Sequence, residues 1–178
     1  MQDRRAYLNF GRTSITVMFT ERDRILFLKE IAGGGRQLDQ EVAQHQDLKF
    51  SEAAEMRRGA IASAKHDPDN EIRIAIIEAI RHPLEAVAAE IELCLRYYKV
   101  TFRGQPIDEI IVTGSEAIRW IVEFFSARLR TGCVLPDPFA ALAQQPRSKA
   151  ALESPWRFTT VIGLSLRGLD EGKGEKSV

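Results

Sequence analysis

A chain of 178 residues, 44% hydrophobic and 28% charged, has the ordinary composition of a folded globular domain, which excludes a disordered chain or a coiled coil. Lys plus Arg number 25 and Asp plus Glu number 25, and this zero net charge excludes the basic footprint of a nucleic-acid or membrane-surface binder. Cys94 and Cys133 are too few for a disulfide framework and read as buried free thiols in a reducing compartment. The start is polar and no apolar run has the length of a membrane span, so the expectation is a soluble cytosolic chain.

The first third reads as strands. Ala6–Phe10 is a short apolar run that stops at Gly11. Ser14–Phe19 and Ile25–Ile31 are rich in β-branched and aromatic residues, with the polar Thr20–Arg24 as a hairpin connection. Both runs are apolar at odd and even positions alike, which predicts strands covered on both faces. Gly33-Gly34-Gly35 ends this segment.

Helices follow. Leu38, Val42 and His45 or Gln46 stand at helical spacing. Ser51 is the expected N-cap of a second helix, with acidic residues in its first turn. Asp67-Pro68-Asp69-Asn70 is a turn and cap signal. Ile77, Ile80, Leu84, Val87, Ile91, Cys94 and Tyr98 form the core-facing stripe of a long helix, and Pro83 predicts a kink or break within it. Tyr97-Tyr98 at its end is expected to pack on the next strand.

The last third alternates. Asp108–Gly114 predicts a strand, Glu116–Arg130 a helix, Cys133–Leu135 a short strand, Pro138–Ala143 a short helix and Arg157–Leu169 a closing helix. Residues 170–178 read as a disordered tail after a single domain over 1–169. The sum is an α/β domain with a mixed sheet of about five strands and helices packed on it.

Most familiar chemistries have no residues to stand on. His45, His66 and His82 show no ligand spacing with each other or with the cysteines. Neither a nucleophile elbow, a Walker A loop nor a G-x-G-x-x-G pattern occurs. Arg57-Arg58 and Arg128 with Arg130 read as solvated helix faces. Three glycine-bearing turns at strand ends remain, where backbone amides could approach a phosphate.

Those turns, in order, carry a resemblance. Leu8-Asn9-Phe10-Gly11-Arg12-Thr13-Ser14 resembles the second phosphate motif of the actin-like ATPases, and Ile31-Ala32-Gly33-Gly34-Gly35 resembles the turn that opens the next helix. Phe50-Ser51-Glu52-Ala53-Ala54-Glu55-Met56-Arg57-Arg58 is similar to the purine-side helix, and Ile110-Ile111-Val112-Thr113-Gly114-Ser115 to the adenosine motif. Leu95-Arg96-Tyr97-Tyr98, Pro106-Ile107-Asp108, Asp137-Pro138-Phe139 and Ile162-Gly163-Leu164-Ser165-Leu166-Arg167-Gly168-Leu169 resemble, in order, the C-terminal half of the PilM-like type IV pilus assembly proteins within that superfamily. The resemblance implies a ribonuclease-H-like, actin-like C-terminal lobe and a site lined by Asn9, Gly11, Thr13, Ser14, Gly34, Arg57, Gly114 and Ser115.

It also implies ATP with Mg²⁺ as the family ligand, and three departures weaken that expectation. Asn9 stands where the family has the Asp that organises the Mg²⁺ water shell, and a neutral amide lacks the charge to hold it. Ala54 replaces the ribose-binding Glu, with Glu55 adjacent. Ser115 replaces the second adenosine-motif Gly, and its Cβ would crowd the purine. Nothing resembles the N-terminal lobe, which carries the first phosphate motif, so one wall of the cleft alone should not hydrolyse ATP. The implied role is a cytoplasmic scaffold of a pilus or secretion platform, held at the inner membrane through a partner such as a PilN-like tail. Half of an active ATPase completed by another lobe is the alternative, as is a lobe that has kept only the fold. A lone lobe also predicts an exposed apolar face where the other lobe, or a second copy, would pack.

Overall fold

In a computed structural model, residues 4–22, 24–62, 70–103, 107, 109–140, 142 and 148–174 are described. Three strands come first: β1 (Arg4–Phe10), β2 (Ser14–Glu21) and β3 (Arg24–Ala32). They pair antiparallel as a meander, with Arg4 opposite Glu21 and an ion pair of 2.7 Å between them. Two helices follow, α1 (Gly35–Gln46) and α2 (Phe50–Ala62), and then the long α3 (Glu71–Thr101). The chain continues with β4 (Glu109–Thr113), α4 (Arg119–Leu129), β5 (Gly132–Val134), α5 (Lys149–Glu153), a 3₁₀ turn at Pro155–Phe158 and α6 (Thr159–Gly174). Strand order is β3-β2-β1-β4-β5, with β4 parallel to both β1 and β5. The expected mixed five-stranded α/β sheet is therefore present.

Alternation sets the core. Ala6, Leu8 and Phe10 of β1, Ile15, Val17 and Phe19 of β2, and Ile110 and Val112 of β4 all point to one face and are buried beneath the helices. The long stripe of α3 supplies the opposing layer through Ile76, Ile80, Leu84, Val87, Ile91, Cys94 and Tyr98. Ile76, rather than Ile77, is the fully buried residue in the first turns. Pro83 does not break the helix, which runs through it for 31 residues, about 46 Å at the usual rise. Its ring sits buried on the core side, where the missing N–H costs only one rung of the ladder. Asn70 caps α3, its side chain accepting from the Arg73 amide at 3.0 Å. Asn70→Ala is expected to cost about 1 kcal/mol in urea unfolding, as loss of a side-chain N-cap usually does. The other residues of that cap signal, Asp67, Pro68 and Asp69, lie outside the described residues, as do His66, Pro106 and Asp108 of the stretches noted above.

Several expectations are corrected. β2 and β3 are not covered on both faces. Every buried strand residue faces the helices, while Met18 and Tyr7 on the other face are half-buried and Ile25 and Leu28 are 60% and 57% exposed. β3 is an edge strand, so its unbroken apolar run reflects a mixture of core and surface positions. Ser51 is inside α2, whose first turn is instead tied by the Lys49 amide donating to the Glu52 carboxylate at 3.3 Å. Glu116–Ile118 precede α4, so that helix starts three residues late. Pro138–Ala140 form a turn rather than a helix, and Ala141 and Ala143 lie outside the described residues. α6 continues through Gly174, into the stretch read as a tail, while residues 175–178 lie outside the described residues.

The aromatic pair at the end of α3 packs backward, not onto the following strand. Tyr98 is buried and stacks on Phe19 of β2 with centroids 4.7 Å apart, and Tyr97 lies half-exposed against Phe27 of β3 at 5.1 Å. Cys94 and Cys133 are free and buried as expected. Burial pushes both thiols above their ordinary range, opposed at Cys94 by Lys29 and at Cys133 by a hydrogen bond with Ser126. No described helix is long and apolar enough to cross a membrane.

Candidate functional site

The three glycine turns meet at one end of the sheet. β1 ends at Phe10, and Gly11 opens the hairpin to β2 with its amide donating to Ser14 O at 3.1 Å. The β3–α1 turn is folded onto this hairpin. Gly35 N donates to Gly11 O at 3.1 Å, and Arg36 N to Arg12 O at 2.7 Å. Gly34 has φ 127° and ψ −168°, a conformation open only to glycine, and a Cβ there would stand 2.5 Å from Gly11 O. The β4–α4 turn closes from the other side. Glu116 N donates to Phe10 O at 3.1 Å, and Gly114 (φ 105°) lies so near β1 that a Cβ would meet Phe10 O at 2.4 Å and Asn9 Oδ1 at 2.6 Å.

Four charged side chains lock this junction. Arg57, from α2, is 1% exposed and gives Nε to Asp39 Oδ1 at 2.6 Å and Nη2 to Glu116 Oε2 at 2.8 Å. A longer contact, 3.4 Å, runs from the same Nη2 to Gly35 O. Asp39, on α1, is fully buried, and its second oxygen accepts from Arg12 Nη1 at 2.5 Å. Arg12 also stands 3.5 Å from Glu116 Oε1 and lies over the Phe50 ring at 5.8 Å. The Asp39 carboxylate, first, and Glu116 after it raise the already high pKa of Arg12. Two cations and two carboxylates thus neutralise each other, Arg57, Asp39 and Glu116 buried and Arg12 at the solvent edge, and each carboxylate has both oxygens engaged.

The eight residues singled out from the sequence do converge. Asn9, Gly11, Thr13, Ser14, Gly34 and Gly114 lie at the strand ends and turns just described, with Arg57 and Ser115 on the flanking elements. The described cavities divide them. Arg57 and Ser115 border a cavity of about 400 Å³ between α2, the β4–α4 turn and the 3₁₀ turn, together with Arg12, Arg58, Ile61, Ala62, Glu116, Ile118 and Arg157. Thr13 borders a second, more open depression of about 450 Å³ with Arg36, Gln37 and Gln40 beside the Gly33 turn. Ala54 is buried, and Glu55 beside it is exposed and takes no part in the cluster. Arg57, read as part of a solvated face, is instead among the most deeply buried side chains; Arg58 next to it is exposed. Asp39 and Glu116 gave no sequence signal as partners, since only folding brings Glu116 to Arg57 across 59 positions. Among the described residues no cluster of His, Cys, Asp and Glu has the makings of a metal site.

The arrangement matches known folds over nearly its whole length. A PilM–PilN type IV pilus biogenesis complex contains a chain that superposes with a TM-score of 0.75 at 19% identity, over 93% of this chain and 46% of the other. MreB5 of Spiroplasma citri bound to AMPPNP gives 0.63 at 13% identity, over 98% and 55%. The ethanolamine utilization protein EutJ from Carboxydothermus hydrogenoformans gives 0.58 at 18% identity, over 75% and 44%. At such identities these structures establish the actin-like fold, and the chain spans about half the length of each. A family model described as type IV pilus assembly protein PilM matches residues 4–169. The chain therefore belongs to the PilM family of type IV pilus assembly proteins.

Proposed function

We propose that this lobe works as an interaction scaffold in a type IV pilus or secretion platform, held at the inner membrane by a PilN-like partner, with a nucleotide site too crowded to hold Mg·ATP. The observation that carries this reading is the buried cluster of Arg12, Asp39, Arg57 and Glu116. In an ATP site the basic residue of the purine-side helix must be free to meet the nucleotide, and here Arg57 is committed twice over. The first amides of α1, the groups a helix offers to phosphate, donate to the hairpin carbonyls of Gly11 and Arg12 instead. Asn9 rests against Gly114 and brings no charge with which to order a Mg²⁺ shell. These residues do not fit Mg·ATP.

Isothermal titration of the chain with Mg·ATP is expected to show no saturable binding tighter than about 1 mM, that is, less than about 4 kcal/mol. Capture of a PilN-like cytoplasmic tail by the same protein would support the scaffold role. Micromolar Mg·ATP binding would overturn the crowded-site reading.

A second reading has its own observation. α6 packs against the 3₁₀ turn and leaves Val161, Leu164 and Leu166 exposed, as a lobe does when a neighbour is due to cover it. The neighbour would be the N-terminal half of a PilM-like molecule, completing an ATPase, or a second copy of this chain. Mixing with such a half separates these: a gain of Mg·ATP turnover favours the ATPase, and a concentration-dependent dimer of the chain alone favours the copy.

A further inference from the structure

The cavity between α2, the β4–α4 turn and the 3₁₀ turn holds more positive charge than the cluster beside it consumes. Arg12 and Arg57 are neutralised by Asp39 and Glu116. Arg58 and Arg157 border the same cavity, and among the described residues neither guanidinium has a hydrogen bond or ion pair. Two free guanidinium groups therefore share one concave site of about 400 Å³ in a protein whose net charge is zero. Concavity and low-dielectric walls focus the potential of such charges toward the opening. Arg157 is held there by its neighbour, because Trp156 Nε1 donates to Ala117 O at 2.6 Å and fastens the 3₁₀ turn beside β4. Ile61, Ala62 and Ile118 supply an apolar side.

We propose that this cavity is a binding site for a compact multivalent oxyanion, a phosphoryl or polycarboxylate group clamped between Arg58 and Arg157, with any carbon body resting on Ile61, Ala62 and Ile118. Guanidinium forks match the planar pairs of oxygens that both anion types present. The inference goes beyond the scaffold reading: it places the anion against α2 and the 3₁₀ turn, and it needs neither a purine nor Mg²⁺.

The test is isothermal titration of the full chain at low ionic strength, with inorganic pyrophosphate and with citrate as probes. Saturable binding is expected, weakening with added salt. Arg58→Ala and Arg157→Ala should each lower affinity by about tenfold or more. Both side chains are exposed and, among the described residues, unpartnered, so the variants should keep the wild-type circular dichroism and melting temperature. Pyrophosphate without citrate identifies a phosphoryl group, and citrate without pyrophosphate a polycarboxylate; either outcome, or binding of both, supports the site. Absence of saturable binding by both probes, or binding that survives both substitutions, overturns it. Tight Mg·ATP binding retained by the double variant would sink the crowded-nucleotide reading and leave the anion site standing.

Discussion

Arg57→Met is expected to destabilise the protein by about 3–5 kcal/mol, the scale on which removing one partner of a buried ion pair acts. Methionine preserves much of the length and apolar bulk of the side chain, so the loss reports charge and hydrogen bonds more than a cavity. What remains is the problem: Asp39 is fully buried and Glu116 is 7% exposed, and both would depend on Arg12, whose side chain is 36% exposed. Two carboxylates facing one screened cation is a poor arrangement in a dry site. Urea unfolding of Arg57→Met, Asp39→Asn and the double variant forms a cycle that isolates the pair. The double variant should recover part of the summed loss, because it removes the stranded charge as well as its partner. Strict additivity would mean that the Arg57–Asp39 contact at 2.6 Å carries no coupling. The exposed pair Arg81–Glu78 is the control, and Arg81→Ala should cost no more than about 0.5 kcal/mol.

The contrast between those two ion pairs marks the limit of what patterning reveals. The five strands and the long helix were legible because burial acts on runs of residues: β-branched strands and a stripe repeating every three or four positions leave periodic traces. The glycine turns were legible because positive φ restricts residue type at Gly33, Gly34 and Gly114. Ion partners leave no such trace. Asp39 looks like any polar position of an amphipathic helix, and Glu116 like the first turn of one. Nor could the apolar run of β3 announce an edge strand, since Leu28 and Phe27 read alike although only Phe27 packs on the aromatic cluster at the end of α3. The resemblance to actin-like proteins singled out turns that the fold brings together at one end of the sheet. It could not say that Arg57, matched by motif, would turn inward to Asp39 and Glu116.

Gly34→Ala and Gly59→Ala should move stability in opposite directions, although the chemical change is the same. At Gly34 the backbone at φ 127° is strained for alanine, at about 1–3 kcal/mol. The new Cβ would also lie 2.5 Å from Gly11 O and 3.0 Å from Arg12 C and O, backbone atoms that cannot rotate away. The hairpin must move, which loosens the bonds from Gly35 N and Arg36 N and adds about 1–3 kcal/mol of overpacking cost. A total loss of about 2–6 kcal/mol follows. Gly59 sits within α2 with no atom inside 4 Å of its would-be Cβ, so alanine there gains helix propensity and should stabilise by about 0.5–1 kcal/mol. Thermal melts of the two variants read both signs directly. A Gly34→Ala protein as stable as the parent would mean that the β3–α1 turn is not held against the hairpin, and with it the amides of α1 would be free to meet an anion after all.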